Sequence, residues 1–323
     1  MKKKILVCGS TGFIGRNIAE ALAEKDEFEV FGTHFLTPAL NNPGITPIHV
    51  DLTNAEQVDR VVQGKDIIIQ AAATTSGSKD IVTRPYVHVT DNAVMNSLIF
   101  KAAHENSVSQ MVFFSCTVMY QSSEIPLKES DFKANEEIHS NYFGVGWTKI
   151  YIEKMCEFYS RLGQTKYTVI RHSNVYGPHD KYDLEHSHVF GATITKIMTN
   201  RDGKIVVWGP GTEKRDLLYV GDLVKFVELS IAKQQTNYEL VNVGYGEAIA
   251  IKDLVYRMIE CSGKEIVVEH DLSQPHIPTS LSLDTSLAEK IFGWQPGTSL
   301  EEGIKKTMAW YRTKMLQPTS RVS

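Results

Sequence analysis

Three glycines at a fixed interval, Gly9, Gly12 and Gly15 in GSTGFIG, are the first residues whose spacing points to chemistry. Glycine permits a tight turn and lets backbone approach a ligand closely. A helix that starts there presents unpaired N–H groups and the positive end of its dipole. Such an arrangement suits a pyrophosphate. It would equally serve a plain tight turn, so the flanking elements decide. Farther on, GTEKRDLLYVGDL carries Lys214 and Arg215. A guanidinium suits bidentate phosphate recognition; the bland alternative is a charged, exposed turn. His172, His179, His186 and His188 lie in one stretch with Asp180, Asp183 and Glu185. These types fit zinc, but the spacing is loose and no H-x-x-x-H or cysteine partner supports it. No metal site is expected.

The elements around these residues follow from apolar periodicity. Ile5, Leu6 and Val7 form a short apolar run, as in a strand buried on both faces. Ile14, Ile18, Ala21 and Leu22 recur at helical spacing, so the glycine triplet lies between a strand and a helix. That is the context in which it reads as a dinucleotide site. FEVFGTH, ITPIHVDLTN, DIIIQAAA, QMVFFSCT and KYTVIRHSNVYGP read as further strands. AEQVDRVVQG, residues 89–104 and residues 147–161 read as helices between them. The alternation predicts an α/β fold, a doubly wound parallel (Rossmann) sheet covered on both faces. Beyond Gly177 the alternation weakens, which predicts a smaller C-terminal substrate-binding lobe. The division is placed at 1–175 for the dinucleotide-binding domain, with 176–214 and 251–323 in the lobe.

Composition narrows the partners. The chain has 323 residues, 42% of them hydrophobic, and a net charge of -4. That balance argues against nucleic acid and anionic membranes. No apolar run approaches the length of a membrane span. Cys8, Cys116, Cys156 and Cys261 are scattered, with no C-x-x-C pair, and read as free thiols of a reducing compartment. The basic start MKKK leads into an apolar run that ends at Gly9, too short for a signal peptide. A cytoplasmic location is expected.

Asp51 and Leu52, after the third strand, stand where a carboxylate could accept from an adenine amino group. Asp51 or Thr53 could instead cap the helix that follows. The second strand ends in GTHF, without the Asp or Glu that would bind a ribose 2′-hydroxyl and reject a 2′-phosphate. His34 is the candidate there, stacked on adenine or merely solvated. The choice between NAD and NADP stays open, with NAD expected and NADP not excluded.

Taken together, GSTGFIG (9–15), DLTN (51–54), AAA (71–73), FFSCT (113–117), Lys149, RHSNVYGPHD (171–180) and RDLLYVGDL (215–223) resemble the extended short-chain dehydrogenase/reductases of the NAD-dependent epimerase/dehydratase family. NVYGPHDKYDLEHSHV (174–189) is most similar to its GDP-fucose synthase branch. The resemblance implies an NAD(P)-dependent oxidoreductase acting on a nucleotide-linked sugar, with hydride exchange at C4 and a GDP-sugar favoured. Its setting would be cell-surface polysaccharide or deoxysugar biosynthesis. It implies that 215–250 return to the first domain and that the protein is a homodimer through the helices at 89–104 and 147–161. The dinucleotide would lie on Thr11, Phe13 and Ile14 beside the three glycines, on Ala71, Ala72, Ala73 and Asn92, and on Lys149 and His172. Lys149 would bind the nicotinamide ribose hydroxyls. Asn174 and Arg215 would hold the diphosphate of the substrate. His179, Ser187, Val189 and Tyr219 would line the substrate, and His188 would act as the epimerisation acid.

Two positions depart from the family pattern. The family's tyrosine falls four residues before the lysine, and in NYFGVGWTK that residue is Val145. The family's Ser/Thr falls within SCT, as Ser115, Cys116 or Thr117 depending on the alignment. The branch's second epimerisation group, a cysteine, falls on Thr117 or Val118. Tyr142, seven residues before Lys149, is a possible substitute. Gly144 and Gly146 argue against one continuous helix between the two and so allow a looped entry. Trp147, Tyr151, Met155 and Phe158 share helical spacing and read as core or dimer face. Two rival readings follow from Val145. One is a catalytically impaired protein that only binds sugar nucleotide and dinucleotide, as a sensor or subunit partner. The other is an enzyme that oxidises once and retains its NADH.

Overall fold

Short runs of branched apolar residues build the centre of the molecule, whose computed structural model describes residues 1–74, 84–184, 187–274 and 279–316. β1 (Lys3–Cys8), β4 (Ile67–Gln70) and β5 (Gln110–Phe114) have both faces buried over most of their length. Helices must therefore cover both sides. β2 (Phe28–His34), β3 (Ile45–His49), β6 (Lys166–His172) and β10 (Tyr238–Val243) complete a seven-stranded sheet in the order β10-β6-β5-β4-β1-β2-β3. Every pairing in it is parallel. The chain starts in the middle, runs outward to β3, then crosses back to β4. The crevice outside the carboxyl ends of β1 and β4 is thus the topological switch point, where ligands bind in open α/β sheets.

Strand alternation divides the core. Ile5 and Val7 of β1 face α1 (Phe13–Ala23) and α6 (Val220–Lys233). Leu6 and Cys8 face α2 (Ala55–Val62), α3 (Thr90–Glu105) and α4 (Phe143–Ser160). Each fully buried aliphatic side chain here contributes roughly 1.5–3 kcal/mol over an exposed one. A third cluster lies around Tyr176, Phe190, Ile194, Leu254 and Met308. It joins α5 (Val189–Thr199), α7 (Ile251–Ser262) and α9 (Leu300–Tyr311) to a small sheet of β7 (Asn174–Tyr176), β9 (Lys214–Tyr219), β11 (Ala248–Ala250) and β13 (Ser280–Leu281). β8 (Lys204–Trp208) and β12 (Val267–Asp271) pair separately.

Three expectations need adjustment. KYTVIRHSNVYGP is two strands: after His172 the chain leaves the large sheet, and β7 pairs with β9 of the small one. NYFGVGWTK is mostly helical, because α4 starts at Phe143 and runs through both glycines. The glycines permit close packing instead of breaking the helix. A Cβ on Gly144 would lie 3.0 Å from Val89, and one on Gly146 3.0 Å from Ile138. Tyr142 is the residue just before this helix. Finally, α8 (Ser286–Phe292) and Trp294, expected in the lobe, pack with Phe226 into the core beneath the large sheet. Among the described residues no helix is long and apolar enough to cross a membrane.

Candidate active site

The glycine loop sits at the carboxyl end of β1. Gly9 has φ +75°, and a Cβ there would lie 2.6 Å from the Cα of Ala72, so the loop and the AAA segment after β4 interlock. A Cβ on Gly15 would come within 2.2 Å of the Gly9 carbonyl oxygen. Neither position admits a side chain. Gly12 is extended and precedes α1 with no side-chain cap, and no acidic residue occupies the first turn. The first N–H groups of the helix and the positive dipole end therefore face the crevice without a carboxylate from the chain. Gly9 N–H donates to Thr33 Oγ1 (2.8 Å) and Ser10 Oγ to the Thr33 carbonyl (3.0 Å), which staples the loop to β2.

Asp51 does not cap α2. Its Oδ1 accepts from Thr53 N and Thr53 Oγ1, which holds the carboxyl below its ordinary range, and Asn54 caps the helix through Gln57 N–H. Leu52 is buried. His34 ends β2, its Nδ1 donating to the Thr37 carbonyl (3.2 Å), its ring edge-on to His49. Asn92 is buried and grips the segment after Ala73: it donates to the Thr74 carbonyl and accepts from Thr74 N–H, both at 3.0 Å.

Lys149 lies in α4, two turns inside its start, under the ends of β5 and β6. Its ammonium donates to the Phe114 carbonyl (2.7 Å) and stands 4.9 Å from the centre of the Phe113 ring. Burial pulls its pKa below the ordinary value, opposed by electrostatic interaction with Cys116, Glu153 and Cys156. Cys116 is raised by burial and feels Lys149 in return. The His172 imidazole is lowered to about 4 by burial, with Lys149 and His188 adding to the effect. Its Nδ1 faces the Ser173 carbonyl at 2.7 Å, so Nδ1 carries the proton and Nε2 is the lone-pair side. The Tyr142 phenol, raised by burial, feels Arg215 and Cys116. Lys149, Cys116, His172, His188, Tyr142 and Arg215 thus form one electrostatic neighbourhood drawn from the ends of three strands and the starts of two helices. Thr117 is half-buried in the same turn as Cys116, and Val145 half-buried one turn before Lys149.

The sequence profile of the NAD dependent epimerase/dehydratase family matches residues 5–244. The chain belongs to this family. It is 28% identical over 320 residues to a GDP-L-fucose synthase of Azorhizobium caulinodans, covering 96% of this chain and 97% of that one. It is 26% identical over 314 residues to a GDP-L-colitose synthase of Yersinia pseudotuberculosis, covering 95% and 97%. Among solved structures, a UDP-glucose 4-epimerase of Thermotoga maritima bound to UDP-glucose superposes with a TM-score of 0.85 at 24% identity, covering 96% and 99%. The protein is an NAD(P)-dependent enzyme of sugar-nucleotide epimerisation or reduction, and its cofactor is NAD. The residues fit that cofactor, because a loop packed too tightly for a Cβ on Gly9 or Gly15 leads into an uncapped helix N-terminus with no acidic residue in its first turn.

Several positions marked by the family pattern are not in this cluster. Ser115 is 1% exposed and donates its hydroxyl proton to Glu153 (2.6 Å), so it does not face the crevice. His179, at φ +71°, turns to Glu20 of α1 (3.4 Å) and packs edge-on to Trp310. Asn174 is exposed and donates weakly to the Asp216 carbonyl (3.3 Å). Arg215, which does belong to the cluster, also donates to the carbonyls of Lys214 and Thr279. Tyr219 is half-buried with Lys306 over its ring, and Val189 is exposed at the start of α5. Ser187 Oγ is buried with no hydrogen-bond partner among the described residues, while Glu185 and His186 lie outside them.

Sequence reasoning missed two sets of residues. One is the pair Gln70 and Asn96 behind the expected Asn92, in which Gln70 donates to Asn96 (3.0 Å) and Asn96 to the Asn92 carbonyl (2.7 Å). Its signal was polar residues four apart on an otherwise apolar helix face. The other is Glu153, one turn after Lys149, and its partner Arg171. Trp147 and Met155 pack inward while Tyr151 and Phe158 are 52% and 55% exposed, so the expected apolar stripe divides between two faces.

Proposed function

We propose that this enzyme exchanges hydride at C4 of the sugar in a GDP-linked sugar, in the cytoplasm, within cell-surface polysaccharide or deoxysugar biosynthesis. The observation that carries the reading is the electrostatic neighbourhood that links Lys149, Cys116, His172, His188, Tyr142 and Arg215. The two GDP-sugar synthases matched over almost their whole length support the GDP-sugar. Free, separated cysteines support a reducing compartment.

NAD, when bound, supplies hydride acceptance or donation. The chain supplies the rest. The first turn of α1 binds pyrophosphate. Lys149 orients the nicotinamide ribose through its ammonium, which the Phe114 carbonyl already aims. Arg215 holds the substrate diphosphate. Val145 presents apolar surface one turn before Lys149, where the family pattern has a phenol, so it neither gives nor takes a proton. Proton exchange with the sugar hydroxyl then falls to Thr117 Oγ1 or to water held by Lys149. Ser115 is committed to Glu153, and the Cys116 thiol is held protonated by burial. His188 is the acid for any epimerisation step.

Absorbance near 340 nm on the purified protein, with and without GDP- and UDP-sugars, tests this reading. A change with a GDP-sugar supports it. No change with any sugar nucleotide, despite measurable binding, gives the place to the binding-protein reading that Val145 favours. We also propose a homodimer through α3 and α4, whose outward Val94, Tyr151 and Phe158 are exposed in the single chain. A monomer by light scattering at micromolar concentration refutes it.

A further inference from the structure

The groups that hold the proton-transfer end together are closed to any ligand. Glu153 and Arg171 are 2% and 4% exposed. Glu153 Oε1 accepts from Ser115 Oγ (2.6 Å) and Arg171 Nε (3.0 Å), and Oε2 accepts from Arg171 Nη2 (2.6 Å). Arg171 Nη1 donates to Tyr120 Oη (2.9 Å) and to the Glu129 carbonyl (3.2 Å). Tyr120 donates on to Asn242 Oδ1 (2.8 Å), and Asn242 N–H returns to the Glu129 carboxylate (2.6 Å). The network therefore ends on β10, the last strand of the large sheet.

The position of its members along the chain matters more than their number. Ser115 immediately precedes Cys116 and Thr117. Arg171 immediately precedes His172. Glu153 lies one helical turn after Lys149, on the same face of α4. One carboxylate thus touches all three segments that carry the proposed chemistry. We propose that Glu153 is a positioning residue, whose carboxylate sets the turn after β5, the helix bearing Lys149 and the end of β6 in register with one another. A planar carboxylate meeting a planar guanidinium through two parallel bonds fixes angle as well as distance. An apolar pair of the same volume would fill the space without fixing either. Stability alone does not account for the pair, since replacing a buried ion pair by packed apolar residues is often neutral or stabilising.

The inference rests on the reading of Lys149 as the cofactor-orienting residue, and the test separates the two. NADH affinity by fluorescence titration and melting temperature are measured for Ser115→Ala, the double variant Glu153→Met/Arg171→Met, and Lys149→Ala. The double variant is expected to melt near the parent yet bind NADH about tenfold more weakly, roughly the effect of losing one charge-assisted hydrogen bond from a displaced Lys149. Ser115→Ala, which removes one bond to Glu153, is expected to keep the melting temperature and weaken NADH a few-fold. If the double variant does not fold, Ser115→Ala decides alone. Parental NADH binding in Ser115→Ala, and in the double variant where it folds, overturns the positioning role provided Lys149→Ala is weakened. Parental binding in Lys149→Ala shows that the assignment of Lys149 was wrong, and the proposal falls with it.

Discussion

The two ends of the crevice are built from different materials. At the β1–α1 end, the surface is backbone: a left-handed glycine, a glycine with no room for a Cβ, and the N–H groups of an uncapped helix. At the β5–α4 end the corresponding groups are side chains, and the reading proposed above is that Val145 there stands in for a phenol on an otherwise unchanged scaffold. Lys149 stays one turn beyond Val145 on a continuous helix, and the turn after β5 keeps its place against Glu153. A backbone-made site tolerates almost no substitution, because any Cβ alters the fold of the loop. A side-chain-made site can exchange a phenol for an isopropyl group with no cost to the helix, so its function drifts more freely than its form.

Gly15→Ala should break the first half of this contrast most severely. Its Cβ meets a backbone carbonyl that cannot yield, so both the loop and NAD binding should be lost, read by calorimetric titration and thermal melting. Gly12→Val is the sharper companion. Gly12 is exposed and has a backbone that L residues adopt, so the fold should persist while NAD binding disappears. Normal NAD titration by Gly12→Val would show that the cradle lies elsewhere.

The second half is tested by Val145→Tyr. Restoring a phenol one turn before Lys149 should raise turnover by up to about 100-fold, the low end of general acid–base catalysis, while Tyr142→Phe changes it little. The opposite result, a dead Tyr142→Phe and an unchanged Val145→Tyr, would make Tyr142 the proton carrier. Its closeness to Arg215 and Cys116 makes that outcome worth measuring.

Arg215→Ala belongs between the two ends. Losing a charge-assisted bond should weaken sugar-nucleotide binding by about 1.5–3 kcal/mol and leave NAD binding nearly unchanged, as calorimetry can show. The reverse pattern would mean that the two ligands have been assigned to the wrong ends.

The smallest effect concerns His172. Its folded pKa, lowered to about 4 by burial, lies below that of an unfolded histidine. The unfolded chain therefore takes up the proton first as pH falls. Stability should decline from about pH 6.5 and the penalty be complete below about 4. His172→Asn, which can keep a donor to the Ser173 carbonyl, should flatten that acid limb by a few degrees in melting temperature. An unaltered limb would place the acid sensitivity on other groups.

The sheet and its helices were readable from the sequence because apolar alternation is a local property: Ile5 to Val7 and Ile67 to Ile69 announce buried strands by themselves. Gly144 and Gly146 misled for the same reason. Locally they disfavour helix by about 1 kcal/mol each, and only the distant Val89 and Ile138 explain why α4 needs them. Ser115 was indistinguishable from its neighbours until its partner Glu153, 38 residues away, was in view. Trp294 gave no sign that it would leave the C-terminal region for the core under the sheet. Motif spacing locates backbone-made sites well. It locates side-chain sites only to within a turn, because which hydroxyl faces the crevice is fixed by long-range contacts.

That excursion of Trp294 bears on how the chain is made. Trp294 Nε1 donates to the Asp222 carbonyl (3.0 Å), and the Asp222 carboxylate accepts from Gly297 and Thr298 N–H. Phe292 and Trp294 stack edge-on against Phe226, on the helix that covers β1. A ribosome delivers β1 long before Trp294. The N-terminal strands and helices are therefore expected to wait, with one face of their core open, until Trp294 has been made. Domains usually fold as units in the order they emerge; here the packing of Trp294 predicts that the first stays unfinished until that residue arrives. Pulse proteolysis of stalled nascent chains should show protection of the N-terminal half only after residue 294 clears the exit tunnel, and early protection would show that the sheet closes without it.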